Sequence, residues 1–502
     1  MSNGKICVSV CAETIDELVK QIKQAAIYAD VIELRFDCLN KKEIRNAAEN
    51  LPKINKPFLV TFRPKEHGGK RELNLRERLK FWEFFLWNNK AENLYADLEF
   101  DLQLILKLEL NKIIVSSHDF SGLSDNLTAT YEILNIVNSD FLKIAVQAND
   151  ITDSTALWKL LERAKKENKK LIPIAMGEAG KWTRVLGLAH GAFMTYASLE
   201  SGKETASGQI SAQDLIETYR VKELNEQTEV YGIVGNPVAH SLSPHMHNAA
   251  FKFHNLNAVY IPFEVKNLDE FVAKFIREET REIDLNFRGF SVTIPHKEAI
   301  IEHLDEIDEA AKAIGAVNTV KIENGKLYGF NTDAEGFIEP LRNSYGDLKD
   351  SRVAILGAGG AARACIYALK KENAKVTVFA RNVEKAKGLA DEFKVQNSKF
   401  KTQSESFADF DILVNTTPLG TKGEFENETP AFASQIKNVK LIYDLIYNPV
   451  ETPFIKEARK VNVPTIGGLA MLVEQGMKQF EIWTSKDAPM KEMSAAALRK
   501  LK

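Results

Sequence analysis

The sequence predicts an α/β protein in two parts, a barrel-like half followed by a parallel-sheet half, on three observations. From residue 5 to about 200, short β-rich apolar runs alternate with amphipathic stretches of helical period. After a polar segment the alternation restarts at Val230. Further on, Arg352-Val353-Ala354-Ile355-Leu356 runs directly into Gly357-Ala358-Gly359-Gly360-Ala361-Ala362, the turn by which a buried parallel strand enters a helix.

The first-half runs are Ile6–Val10, Val31–Asp37, Phe58–Arg63, Leu94–Phe100, Ile113–His118, Phe141–Val146, Leu171–Met176 and Phe193–Ser198. Helical stretches such as Ile15–Tyr28 and Ala156–Asn168 lie between them. The pattern fits a (β/α)8 barrel over 1–221, although a doubly wound sheet produces the same alternation. Glu33, Arg35, Arg63, Glu99, His118 and Lys143 gather at the C-terminal ends of their runs. That is the catalytic face of a barrel, and charges inside it are costly unless paired or functional.

Val221–Thr228 is polar, shows no clear partner face and reads as a linker. The expected second half is a domain over 229–333, completed by 472–502, and a Rossmann-like domain over 334–471. Net charge is −3, and no basic face suited to nucleic acid is evident. Lys165-Lys166 and Lys169-Lys170 sit among glutamates on solvated helix faces. The four cysteines have no metal-like or disulfide-framework spacing, and Cys7, Cys38 and Cys365 read as small core residues. No metal is expected. Lys5–Val10 already reads as a strand, with no leader ahead of it and no membrane-length apolar stretch anywhere, so cytoplasm is the expected compartment.

Lys143 lies inside the apolar run Phe141–Val146. Burial there lowers an amine's pKa toward the nucleophilic neutral form, whereas an edge strand would let the chain snorkel to water. His118 suits proton transfer, and the plain alternative is a hydrogen-bonded core histidine. The segments Glu33-Leu34-Arg35, Thr61-Phe62-Arg63 with Glu66-His67-Gly68-Gly69, Ser117-His118-Asp119-Phe120 and Lys143-Ile144-Ala145 occur in barrel order. Met176-Gly177, Arg184 and Ser207-Gly208-Gln209 follow them. This set resembles type I 3-dehydroquinate dehydratase over roughly residues 5–220. The resemblance implies that Lys143 forms an imine with the substrate ketone, that His118 moves the protons and that Glu66 orients His118. It also implies that Arg184 holds the substrate carboxylate while Glu33, Arg35, Arg63, Thr205 and Gln209 line the pocket. The chain departs from that family at Thr205, commonly serine, and at Ser207, usually proline.

In the second half, Gly357-x-Gly359-x-x-Ala362 is a dinucleotide fingerprint. The next strand, Lys375–Ala380, ends at Arg381 instead of an acidic residue. A cation there, with Lys385 nearby, suits a 2′-phosphate and hence NADP(H). Ser241-Leu242-Ser243-Pro244, Val292-Thr293-Ile294-Pro295-His296-Lys297, Gly315-Ala316-Val317-Asn318-Thr319 and Asn331-Thr332-Asp333 supply short polar side chains from loops. Together their order resembles shikimate dehydrogenase over 229–502. The resemblance implies Lys297 and Asp333 as the catalytic pair. Ser241, Ser243, Thr293, Asn318, Tyr447 and Gln475 would bind substrate. Gly357, Gly359, Gly360, Ala361, Arg381, Asn382, Lys385, Thr416, Gly468 and Met471 would bind cofactor. Ala380 and Asn382 flank Arg381 where the family has Asn and Thr, and Pro418 replaces a common Ser.

The two activities would share 3-dehydroshikimate, the product of one and substrate of the other. The expected partners are 3-dehydroquinate, 3-dehydroshikimate and shikimate, with no nucleic acid or membrane, in a monomer. A quinate dehydrogenase in the second half and a non-catalytic ligand-binding relative are the competing readings.

Overall fold

The computed structural model describes residues 4–89, 94–106, 112–122, 126–137, 139–399 and 406–501, which include every candidate site residue. Its contacts divide the chain into two units, Met1–His240 with Asn257–Phe287, and Ser241–Leu256 with Arg288–Lys502.

In the first unit the expected runs are strands, their ends shifted by a residue or two. They are β1 (Lys5–Val10), β2 (Val31–Arg35), β3 (Phe58–Thr61), β4 (Leu94–Glu99), β5 (Ile113–Asp119), β6 (Phe141–Gln147), β7 (Leu171–Met176) and β8 (Met194–Ser198). With β9 (Ile210–Ser211) they form one curled sheet of order β7-β6-β5-β4-β3-β2-β1-β8-β9. At the seam, Phe193 N–H donates to the Leu171 carbonyl at 2.9 Å in place of a ladder between β7 and β8. Both faces are covered, which is why these strands read as near-continuous apolar runs. The helices turn their apolar stripes inward. Thr14 accepts from Glu17 N–H to cap Ile15–Ala25, and Asn74 forms a capping box with Glu77 at the start of Leu75–Asn88.

Cys7, Val31, Leu59, Ile114, Ile172 and Met194 fill the lower interior, leaving the C-terminal strand ends to polar groups. Two expectations are corrected here. Cys11 and Cys38 are joined in a disulfide, with Cα atoms 5.4 Å apart across a separation of 27 residues. They stand just beyond the C-terminal ends of β1 and β2, and the parallel pairing of those strands brings them side by side. The segment Val221–Thr228 does have a partner face. Val221 and Leu224 are buried, and the Lys222 ammonium donates to the Gly4 carbonyl at 2.6 Å and pairs with Asp30. β10 (Glu229–Gly235) and β11 (Ala258–Glu264) follow as a parallel pair.

In the second unit, β12 (Phe287–Val292), β13 (Glu306–Ile307), β14 (Thr319–Glu323) and β15 (Lys326–Phe330) run in the order β12-β14-β15-β13. A further parallel sheet contains β16 (Arg352–Leu356), β17 (Lys375–Ala380), β18 (Gln396–Lys399), β19 (Ile412–Asn415), β20 (Leu441–Asp444) and β21 (Thr465–Gly467). Its order, β18-β17-β16-β19-β20-β21, reverses direction between β16 and β19, the Rossmann arrangement with its ligand crevice at the switch point. The helices Asp333–Tyr345 and Gly468–Thr484 lie against each other, and a Cβ on Gly336 would stand 2.6 Å from the Gln475 Cβ.

Candidate active sites

The barrel carries a cavity at the C-terminal ends of its strands, lined by Glu33, Arg35, Arg63, His118, Lys143, Arg184, Thr205 and Gln209 among others. Lys143 is buried on β6, paired in register with Ser116 on β5. Its ammonium lies 2.8 Å from Asp97 Oδ2 and 4.0 Å from the centre of the Tyr196 ring. Burial lowers its pKa, and Asp97 pulls back against that shift only in part. Arg63 meets the same Asp97 oxygen at 2.6 Å. Burial alone would raise the Asp97 carboxyl, but Arg63 and then Lys143 hold it well below the usual carboxylate range.

The remaining anions are also held. Glu33 accepts from Thr61 Oγ1 at 2.8 Å and from Ser9 Oγ. Arg35 forks onto Asp37 at 2.9 and 2.7 Å and reaches the Gly68 carbonyl at 3.2 Å. Thr205 and Gln209 are coupled through the Gln209 amide oxygen, which accepts from Thr205 N–H at 2.8 Å and Oγ1 at 3.2 Å.

Arg184 is the exception. It is buried, yet its guanidinium donates only to the carbonyls of Tyr196 (3.4 Å) and Ser207 (3.3 Å), and no carboxylate among the described residues pairs with it. Burial pushes its pKa down to about 10. A desolvated arginine without a counter-ion at a cavity wall is suited to an anionic ligand.

His118 is driven well below the ordinary imidazole range by burial, then by Arg63 and Lys143, and so is a neutral base. Its Nδ1 is buried with no hydrogen-bond partner among the described residues. Glu66, expected to orient it, is exposed on the turn Lys65–His67 and does not line the cavity. The tight turn is the cause. Gly69 N–H donates to the Pro64 carbonyl at 2.9 Å, which leaves His67 and Gly68 facing the cavity instead.

The second unit builds its site around a part-exposed lysine. Lys297 donates to Asp333 Oδ2 at 2.6 Å, and Asp333 Oδ1 accepts from Asn318 Nδ2 at 2.8 Å. Asp333 is the first residue of the helix Asp333–Tyr345, where the backbone dipole favours an anion. Asn318 is fixed by Thr332 N–H, which donates to its Oδ1 at 2.9 Å, and by Thr319 Oγ1 at 2.8 Å. Behind them Gln479 donates to the Asn318 carbonyl at 3.3 Å and accepts from Ser291 Oγ at 2.8 Å. Ser241 Oγ accepts from Ser243 N–H at 3.2 Å. Gln475 is buried, donating to the Leu472 carbonyl at 2.8 Å. Thr293 and Tyr447 are part-buried, and no side-chain bond joins either to the Lys297–Asp333–Asn318 group.

The fingerprint turn fits a dinucleotide. Gly357 has φ 125°, and a Cβ there would lie 2.4 Å from Thr416 Oγ1. A Cβ on Gly359 or Gly360 would meet nothing within 4 Å, so the start of the helix Gly360–Lys371 is open to an approaching phosphate. Arg381, just after β17, and Lys385, in the first turn of the following helix, are exposed with no carboxylate partner among the described residues. Asn382 caps the following helix through Lys385 N–H at 3.1 Å. Gly468 lets its helix pass the Leu445 carbonyl, which a Cβ would meet at 2.2 Å, and Met471 packs at the edge of the apolar core of this sheet. Among the described residues no cluster is placed to hold a metal ion, and no helix is long and apolar enough to cross a membrane.

Comparison with known proteins finds family matches in both halves. The type I 3-dehydroquinase family matches residues 6–226, and the shikimate dehydrogenase substrate binding domain matches 233–320. The shikimate / quinate 5-dehydrogenase family matches 340–467, and the shikimate 5'-dehydrogenase C-terminal domain matches 468–498. A bifunctional 3-dehydroquinate dehydratase/shikimate dehydrogenase of Arabidopsis thaliana, described as chloroplastic, is 34% identical over 96% of this chain and 82% of its own length. This chain belongs to the same bifunctional family.

The dehydrogenase half also has nearer relatives. The NADP(+) shikimate dehydrogenase of Methanococcus maripaludis is 44% identical, covering 56% of this chain and all of that one. A solved shikimate dehydrogenase in complex with NADP+ is 41% identical, with a TM-score of 0.52 over 56% of this chain and 98% of its own.

In the dehydratase half, sequence reasoning missed Asp97, Tyr196 and His67. Asp97 carried a usable signal, because it alternates with Glu99 along β4 and must share its inward face. In the dehydrogenase half, Gln479 lies one helical turn beyond Gln475 and was missed because its partners Ser291 and Asn318 are distant in sequence.

Proposed function

We propose that the first half dehydrates 3-dehydroquinate through an imine on Lys143 and that the second half reduces the resulting 3-dehydroshikimate to shikimate. The reading is supported above all by one juxtaposition. A buried lysine of lowered pKa and a buried arginine with no counter-ion among the described residues line the same cavity. The lysine supplies the nucleophile for a ketone and the arginine receives a carboxylate.

Lys143 attacks in its neutral form. Asp97, kept ionised by Arg63, accepts a hydrogen bond from the lysine nitrogen and stabilises the iminium charge as it develops, the ketone oxygen leaving as water with one proton drawn from solvent. Neutral His118 removes the substrate proton and returns one to the departing hydroxyl. Arg184 holds the carboxylate, and Glu33, Arg35 and the Thr205–Gln209 pair receive the ring hydroxyls.

In the dehydrogenase half NADPH would supply the hydride. The fingerprint turn from Gly357 to Ala361, together with Thr416, Gly468 and Met471, would hold the cofactor, with Arg381, Asn382 and Lys385 at its 2′-phosphate. Lys297 donates a proton to the oxygen that gains charge, and Asp333, held by Asn318, keeps that ammonium in place. Ser241, Ser243, Thr293, Tyr447 and Gln475 serve the substrate's carboxylate and hydroxyls. We assign domains to 1–221, to 229–333 with 472–502, and to 334–471, in a monomeric cytoplasmic enzyme whose Cys11–Cys38 pair is reduced in that compartment.

Purified protein given 3-dehydroquinate and NADPH should oxidise the cofactor and yield shikimate. Oxidation with 3-dehydroshikimate but none with 3-dehydroquinate would remove the barrel's chemistry from this reading and leave the dehydrogenase alone.

A further inference from the structure

In the first unit, Asn257–Phe287 falls within the stretch matched to the dehydrogenase substrate binding domain, yet it packs on the barrel. It meets the loops that leave the catalytic ends of β6 and β7. Asp150, after β6, accepts on Oδ2 from the backbone N–H of Lys266 at 2.6 Å and of Asn267 at 3.3 Å. Its Oδ1 accepts from Thr152 N–H at 2.9 Å. Trp182, fully buried on the short helix Lys181–Leu186 after β7, stands edge-on to Phe275 with centroids 5.9 Å apart at 88°. Trp158 backs it at 4.6 Å.

That helix also carries Arg184. The guanidinium reaches the Ser207 carbonyl at 3.3 Å, and the same carbonyl accepts from Gly177 N–H at 3.2 Å, where the loop after β7 begins. A Cβ on Gly208 would lie 2.1 Å from the Gly177 carbonyl oxygen, so the Ser207–Gln209 loop is pressed onto that turn. One side of a six-residue helix is therefore anchored on the dehydrogenase-derived segment and the other faces the dehydratase cavity. A helix this short has little stability of its own and takes its orientation from its contacts.

We propose that Asn257–Phe287 is a positioning element of the dehydratase. By holding Trp182 and Asp150 it sets the angle at which Arg184 and the Ser207–Gln209 loop meet the substrate carboxylate. The proposal rests on the carboxylate-binding role given to Arg184 above.

The test uses the full chain with Asp150→Asn, Phe275→Ala and the conservative Phe275→Leu. Asp150→Asn keeps an oxygen for Thr152 while removing the acceptor that faces Lys266. The dehydratase KM should rise roughly five-fold in Asp150→Asn and Phe275→Ala, a usual coupling between contacting groups. Its kcat should stay within about two-fold, dehydrogenase kinetics should not change, and Phe275→Leu should recover most of the KM. In an Arg184→Ala background the further rise should vanish. An unchanged KM in folded Asp150→Asn overturns the proposal, as does an equal rise with and without Arg184. If Phe275→Ala does not fold, Asp150→Asn decides alone. If Arg184→Ala by itself leaves KM unchanged while Lys143→Ala abolishes turnover, the role of Arg184 fails and the proposal fails with it.

Discussion

At the end of β4, burial pushes the Glu99 carboxyl up to about 7 against the opposing pull of Arg63. A carboxyl raised on folding binds its proton more tightly in the native state, so its contribution is complete below the unfolded value near 4.5 and is lost as pH rises through about 7. Urea unfolding should show barrel stability falling on this account by at most about 3 kcal/mol between about pH 5 and pH 8. Glu99→Gln should flatten that slope, and equal slopes in the two proteins would mean Glu99 titrates as it does in the unfolded chain. Arg381 lies at the opposite extreme, exposed and without a carboxylate partner among the described residues. Replacing it with alanine should raise the KM for NADPH about ten-fold and leave that for NADH nearly unchanged, the usual worth of a charged hydrogen bond. Equal effects on both cofactors would place the 2′-phosphate elsewhere. Both residues were legible in the sequence because each ends a recognisable strand. Asp97 was overlooked although it shares an inward face with Glu99, and only the structure brings it to both Lys143 and Arg63.

Neighbouring parallel strands bring their C-terminal ends together whatever their separation in sequence, and the Cys11–Cys38 bridge between β1 and β2 is a direct consequence. Closing 27 residues removes unfolded-state entropy worth about 3.5 kcal/mol in the chain-entropy account. Cys11→Ser with Cys38→Ser should lower barrel stability by about that amount under oxidising conditions and by nothing in dithiothreitol. An identical denaturation midpoint for wild type with and without reductant would show that the bridge contributes nothing. The turn Lys65–His67 after β3 is instead set locally, by the Gly69 N–H donating to the Pro64 carbonyl. Its identity was readable from Gly68-Gly69, but which side chain faced the cavity was not, and Glu66 points away while His67 faces in.

Across the whole molecule, Lys143 belongs to one unit and Asp333 to the other. Lys143→Ala should abolish dehydration while leaving reduction of 3-dehydroshikimate within about two-fold, and Asp333→Ala should do the reverse, with losses of about a thousand-fold. Loss of both activities in a folded variant would mean that the sites are coupled. Fusion by itself guarantees only a raised local concentration of the shared intermediate. A reference chain without the two substitutions, assayed with each intermediate separately, provides the baseline for both comparisons.

The sequence alone determined the eight strands of the first half, the glycine turn after β16 and the gathering of Glu33, Arg35, Arg63, Glu99, His118 and Lys143 at strand ends. These are local properties, carried by side-chain period and by the identity of residues at strand ends. Tertiary structure decided the rest. It joined Cys11 to Cys38, gave Lys143 and Arg63 a common carboxylate in Asp97, left Arg184 without a counter-ion among the described residues and turned Glu66 outward. It also set Asn257–Phe287 against the barrel loops that carry Asp150 and Trp182. Each of these depends on distances between segments far apart in the chain, which close packing fixes and local pattern does not encode.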